Sequence, residues 1–80
     1  MQIRKGEVWK IDGRKGPLTV KVLQDVESDS EDFFTAKIIE GTVRYLSMEN
    51  NFYQRVDGQG TPGHCIELRA SLYRFLEKVT

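Results

Sequence analysis

Hydrophobic and polar positions alternate with a period of two through most of this chain, and clusters of Gly, Pro, Asp, Asn and Ser interrupt the rhythm. That pattern predicts short strands joined by turns. The strongest run is Phe33 to Gly41, near the middle of the sequence. Phe34, Ala36 and Ile38 fall on one face, Phe33, Thr35, Lys37 and Ile39 on the other, and no proline removes a donor from the ladder. The run reads as a central strand with large apolar groups on both faces. One face looks into a core. Phe33 and Ile39, on the other, call for a second cover from a curled neighbouring strand, the long loop downstream or a partner chain.

The other segments arrange themselves around this strand. Gly6-Glu7-Val8-Trp9-Lys10-Ile11-Asp12 is β-prone, points Trp9 and Ile11 the same way and ends in the turn pair Asp12-Gly13. Gly13-Arg14-Lys15-Gly16-Pro17 is a short basic loop, with Pro17 fixing the entry to a second strand. In that strand Leu18, Val20 and Val22 point inward and Thr19 and Lys21 outward. The run is expected to continue through Leu23 to Val26, with a bulge where Val22 and Leu23 adjoin. Glu27 to Asp32 is too polar to pack and reads as an exposed hairpin tip; it lacks the glycine and trailing glutamate that a calcium loop requires.

After Gly41, which permits a sharp bend, Thr42 to Leu46 keeps strand character. A long loop then occupies about residues 47–63, with turn-forming clusters on either side of Phe52-Tyr53-Gln54-Arg55-Val56, a short strand in its own right. His64 to Ala70 resumes the alternation, with Ile66, Leu68 and Ala70 on the core face. The tail predicts one tight helical turn near Ser71 to Tyr73. A closing strand follows, laid beside the first.

Eighty residues make a single domain, and a chain of this size buries only about 60% of the surface that its unfolded form exposes. The lone Cys65 cannot form an internal disulfide. There is no apolar run of membrane-spanning length and no signal-peptide pattern, so a cytoplasmic protein without membrane attachment is expected. His64 and Cys65 supply two adjacent potential ligands where a structural zinc site takes four, so neither metal nor cofactor is expected. The formal net charge is zero, yet the distribution is uneven. Residues 1–22 carry six basic and two acidic side chains, residues 23–40 one basic and six acidic, and residues 41–80 five basic and four acidic. A local positive field therefore survives neutrality if the N-terminal cations share one side.

Five short strands in this order, opened by Gly6-Glu7-Val8-Trp9 and with a helical turn before the last, resemble an SH3-like small barrel. The resemblance implies an all-β, five-stranded antiparallel fold and a binding role. The proline-peptide SH3 domains carry an acidic loop and paired tyrosines beside their tryptophan; the loop after the first strand here is short and basic, so that ligand is not implied. An enzyme needs a nucleophile, a base and an orienting group, and His64 and Cys65, adjacent on a strand, project to opposite faces. The expectation is a non-catalytic binding module that engages a protein partner or a second copy of itself. The alternative is nucleic-acid binding through the basic loop and nearby aromatics. Lys10, Arg14, Lys15, Phe52, Tyr53 and Arg55 are the candidate binding residues on either reading.

Overall fold

The computed structural model describes residues 1–13, 16–41, 53–55 and 60–80, with residues 53–55 described through their backbone alone. Strands dominate, and one 3-10 turn is the only helical element among the described residues. In chain order they are β1 (Gln2–Ile3), β2 (Val8–Gly13), β3 (Gly16–Val22), β4 (Val26–Glu27), β5 (Phe33–Glu40), β6 (Tyr53–Arg55), β7 (Cys65–Arg69) and β8 (Arg74–Lys78), with the 3-10 turn Ala70–Leu72 between the last two. Six strands form one antiparallel sheet in the order β6-β7-β5-β3-β2-β8, and β1 and β4 form a separate pair. All of the expected long strands are present, as is the helical turn. Phe33 to Glu40 is interior to the sheet, as its two-sided apolar pattern anticipates.

Alternation decides which side chains form the core. Trp9 and Ile11 of β2, Leu18, Val20 and Val22 of β3, Phe34, Ala36 and Ile38 of β5, and Ile66 and Leu68 of β7 are all buried. These residues occupy one face of the sheet at period two. Ile3 and Val26, directly paired across β1 and β4, add to the same cluster, as do Ala70 and Tyr73. Trp9 is a core residue rather than a surface platform, with 8% of its surface exposed.

The ring contacts show how strongly the sheet curls. Phe75 of β8 lies opposite Ile11, Ile11 opposite Leu18, and Thr19 opposite Glu40. On a flat sheet Phe75 and Phe34 would therefore be separated by three strand spacings, about 14 Å, and by about 20 Å along the strand. Their ring centroids are 5.7 Å apart, and Phe75 also meets Trp9 edge to face at 5.5 Å. The sheet coils until its β8 corner lies over the start of β5. The 3-10 turn makes this crossing possible: the N–H of Ala70 donates to the carbonyl of Asp32 at 2.9 Å, pinning the end of β7 beside the start of β5 before the chain crosses to β2. The sheet nevertheless stays open, because β6 and β8 are its two edges.

Three expectations need correction or relocation. The second strand does not continue to Val26; β3 ends at Val22, and Val26 changes partner to pair with Ile3 of β1. Gln24 sits at the break, its amide nitrogen donating to the Phe33 carbonyl at 3.4 Å and its oxygen accepting from the Thr35 N–H at 3.3 Å. A side chain thus fills backbone positions that a continuing strand would have used. No register shift marks Val22 and Leu23; the shifts lie between Thr19 and Val20 in the β3–β5 pair and between Lys10 and Ile11 in the β2–β8 pair. Glu27 belongs to β4 rather than to a free hairpin tip, and turns and bends follow it. The strand expected over Thr42 to Leu46, and the loop at 47–63 apart from residues 53–55 and 60–63, lie outside the described residues. Within that region β6 pairs with β7, in keeping with a short strand around Tyr53.

Gly41 ends β5 at φ +95°, a conformation that L side chains rarely adopt. It also packs tightly. A Cβ placed there would lie 2.8 Å from the Pro17 carbonyl oxygen and 2.9 Å from Leu18 Cδ2. Both the backbone conformation and the close approach to β3 therefore require glycine.

Candidate functional site

The two register shifts have a common consequence for the outer face of the sheet. Between Glu40 and Ile38 on β5 there are two steps, against one between Thr19 and Val20 on β3, so Ile39 is the additional residue of a bulge. The same count on β8, Phe75 to Glu77 against Ile11 to Lys10, makes Leu76 the additional residue there. Both side chains are turned to solvent, Ile39 with 47% and Leu76 with 51% of its surface exposed. Ile39 and Leu76 point outward by the alternation of their own strands, and each bulge lets the following residue, Glu40 or Glu77, share the outer face instead of turning in.

These bulges lie on one transverse row. Glu40 faces Thr19, Thr19 faces Lys10 and Lys10 faces Glu77. The row therefore runs Ile39 and Glu40, Thr19, Lys10, then Glu77 and Leu76, across about 14 Å. Lys10 Nζ lies 3.8 Å from Glu77 Oε2, an ion pair exposed on both sides. Such a pair contributes about 0–1 kcal/mol. Two residues further along each strand, Lys37 faces Lys21 and Lys21 faces Val8. The C-terminal segment borders Val8, which exchanges backbone hydrogen bonds of 2.7 Å with Val79 and Thr80. Val79 is 46% exposed. Lys21 and Lys37 are thus like charges directly across a strand pair, both exposed, and neither forms an ion pair among the described residues.

Phe33, on the same face of β5, has found a cover: the Arg69 guanidinium lies 5.0 Å from its ring centroid. Arg69 is cross-strand from Phe33 and also reaches Glu31 at 3.5 Å. Cation and ring shield each other, so the apolar exposure of β5 is concentrated at Ile39.

An open cleft of about 350 Å³ is lined by Met1, Ser28 and Asp29 on one side and by Ser71, Tyr73, Arg74 and Phe75 on the other. It lies between the turn after β4 and the 3-10 turn leading into β8. Among the described residues, Glu7 is the most perturbed acid. Its Oε1 accepts from the Arg4 N–H at 2.8 Å and the Trp9 indole at 3.1 Å, and its Oε2 meets Lys78 Nζ at 2.9 Å. The Arg4 N–H, followed by Lys78 and the Trp9 indole, outweighs partial desolvation and lowers its pKa from 4.5 to about 2. Three donors on one carboxylate make a structural clamp between the N-terminal segment, β2 and β8.

Of the candidate residues, Lys10 is on β2 within the row described above, exposed and paired with Glu77. Tyr53 and Arg55 lie in β6 opposite Leu68 and Ile66, at the far edge of the sheet from β8, so the sheet order separates them from Lys10. The side chains of Tyr53 and Arg55, and residues Arg14, Lys15 and Phe52 entirely, lie outside what is described. Cys65 is half-buried on β7 opposite Lys37. Among the described residues no group of three or more His, Cys, Asp or Glu side chains gathers to hold a metal, and no helix is long and apolar enough to cross a membrane. The outer-face position of Ile39, and its need of a cover, follow from alternation alone; Leu76, Lys21 and Lys37 are neighbours on that face that were not among the candidate binding residues. The adjacent apolar pairs Ile38-Ile39 and Phe75-Leu76 carry the signal, since two large apolar neighbours on a half-buried strand break alternation.

Compared with known proteins, the chain matches no family model, no curated protein and no solved structure.

Proposed function

We propose that this protein is a non-catalytic binding module with an SH3-like barrel fold, engaging a protein partner or a second copy of itself. The strand sequence, the 3-10 turn before β8 and the coiling that brings Phe75 onto Phe34 support the fold assignment. The observation that carries the function is the pair of exposed aliphatic side chains, Ile39 and Leu76, each beside a bulge at one end of the same outer row of the sheet. The most perturbed acid, Glu7, has its two oxygens occupied by structural donors, which favours binding over acid–base catalysis there. A cytoplasmic setting accords with the cysteine content but rests on sequence alone.

Nucleic-acid binding is the second reading, favoured by the opposed Lys21 and Lys37. Copurification from the native host, repeated with the double substitution Ile39→Asp and Leu76→Asp, separates the two. Both residues are about half exposed, so the stability of the variant should lie within about 1 kcal/mol of the original. Loss of a specific protein partner, or of a concentration-dependent dimer mass, supports the protein reading. Retention of a nucleic-acid complex that dissociates steeply with salt refutes it.

A further inference from the structure

The surroundings of Lys21 and Lys37 specify the partner more closely than the presence of a binding surface does. Like charges directly opposite in a sheet repel. Their in-line and directly opposed outer-face neighbours include Thr19, Thr35, Val8, Ile39 and Cys65, none of them a carboxylate; the nearest carboxylates, Glu40 opposite Thr19 and Glu67 opposite Thr35, stand one diagonal step away. Neither lysine forms an ion pair among the described residues, so two like charges stand side by side in a chain that is neutral as a whole. Aliphatic groups flank the pair on two sides: Ile39 follows Lys37 at the next outward position of β5, and Val8 with Val79 lies beyond Lys21.

We propose that this face docks a segment of a partner protein that is both acidic and aliphatic, with a carboxylate between Lys21 and Lys37 and apolar side chains on Ile39 and on Val8–Val79. The proposal rests on the protein-binding reading above and names the chemistry of the partner. Charge complementarity supplies the carboxylate, and the exposed aliphatic groups supply the remainder. A phosphate backbone would meet the lysines but leave Ile39, Leu76 and Val79 facing its charge. Of the aromatic side chains described, Trp9, Phe34 and Tyr73 are buried in the core, Phe75 packs on Trp9 and Phe34, and Phe33 lies under the Arg69 guanidinium, so none presents a free stacking face.

The test is a titration of the full ¹⁵N-labelled chain with a short peptide of alternating Glu and Leu, a second peptide with Ser in place of Leu, and single-stranded oligothymidylate. The Glu-Leu peptide should shift the amides of Thr19, Lys21, Lys37 and Ile39. Its affinity should fall roughly tenfold or more in the double variant Lys21→Glu with Lys37→Glu, since two attractions become repulsions. That variant reverses the sign of the face but keeps the cross-strand repulsion unchanged, so a dispersed amide spectrum is expected. Ile39→Ser should weaken the Glu-Leu peptide severalfold and leave the Glu-Ser peptide unchanged, a difference that generic charge attraction would not produce.

Peptide shifts that map instead to the cleft of Ser28, Tyr73 and Arg74 would overturn this face while leaving the protein-binding reading standing. Oligothymidylate binding at Lys21 and Lys37 more tightly than the Glu-Leu peptide would overturn both. Absence of any peptide-induced shift at millimolar concentration would overturn the proposed partner chemistry.

Discussion

Replacing Phe75 by alanine tests the coiled architecture most directly, because that ring joins three strands. It packs against Trp9 of β2 and Phe34 of β5 while its own strand pairs only with β2. Truncating a fully buried Phe costs about 3–5 kcal/mol, and Phe75 is half-buried, so a loss of about 2–3 kcal/mol is expected once its two ring contacts are included. A domain of 80 residues has a total stability of only about 4–12 kcal/mol. The substitution should therefore lower Tm by about 8–24 °C. Urea unfolding followed by tryptophan fluorescence should show a lower midpoint with an unchanged slope. Leu76→Ala is the internal control. One residue along the same strand, on the exposed side of the bulge, it should cost about 0.5 kcal/mol or less. Double-mutant cycles of Phe75 with Trp9 and with Phe34 should each return a coupling of about 0.5–1.5 kcal/mol. Comparable small losses at positions 75 and 76, or no coupling to Phe34, would refute the coil and the assignment of Leu76 as the bulged residue.

Gly41→Ala should destabilise by about 1–3 kcal/mol from its backbone conformation alone, with a further loss from contact with the Pro17 carbonyl. Gly63→Ala shares a positive φ but has open space around its Cβ, so thermal melts should rank it as the milder of the two. Glu7 has a folded pKa of about 2 against an ordinary 4.5, so its contribution is fully present above pH 4.5 and is lost as pH falls toward 2. Glu7→Gln should therefore flatten the acid limb of stability in that window; an unchanged limb would show that the three-donor clamp does not hold in solution. Lys37→Glu converts a cross-strand repulsion into an attraction and should stabilise by about 0.2–1 kcal/mol at low ionic strength, with the gain disappearing in molar salt. Equal stability at both salt concentrations would mean that Lys21 and Lys37 do not face one another.

Period-two alternation was sufficient to identify the core positions on the long strands, though not Ile3, Val26 or Tyr73. Phe34, Ala36, Ile38, Ile66 and Leu68 could be assigned inward because a residue's face on a strand depends only on its parity, which is a local property of the chain. The helical turn before the last strand was legible for a similar reason, since helical and strand offsets compete over those few residues and each can be counted. Register is different. It is fixed by which strands meet and where each pair slips, so neither the bulges that bring Glu40 and Glu77 onto the outer row nor the opposition of Lys21 to Lys37, sixteen positions apart, is contained in any one segment. The departure of Val26 from the second strand likewise required Gln24 to fill the backbone sites of Phe33 and Thr35 and β1 to offer a new partner. The sequence by itself determined which side chains of the long strands are buried, because burial there follows parity and hydrophobicity. Tertiary structure alone decided which exposed side chains are neighbours, because surface adjacency in a sheet is set by pairing between segments distant along the chain.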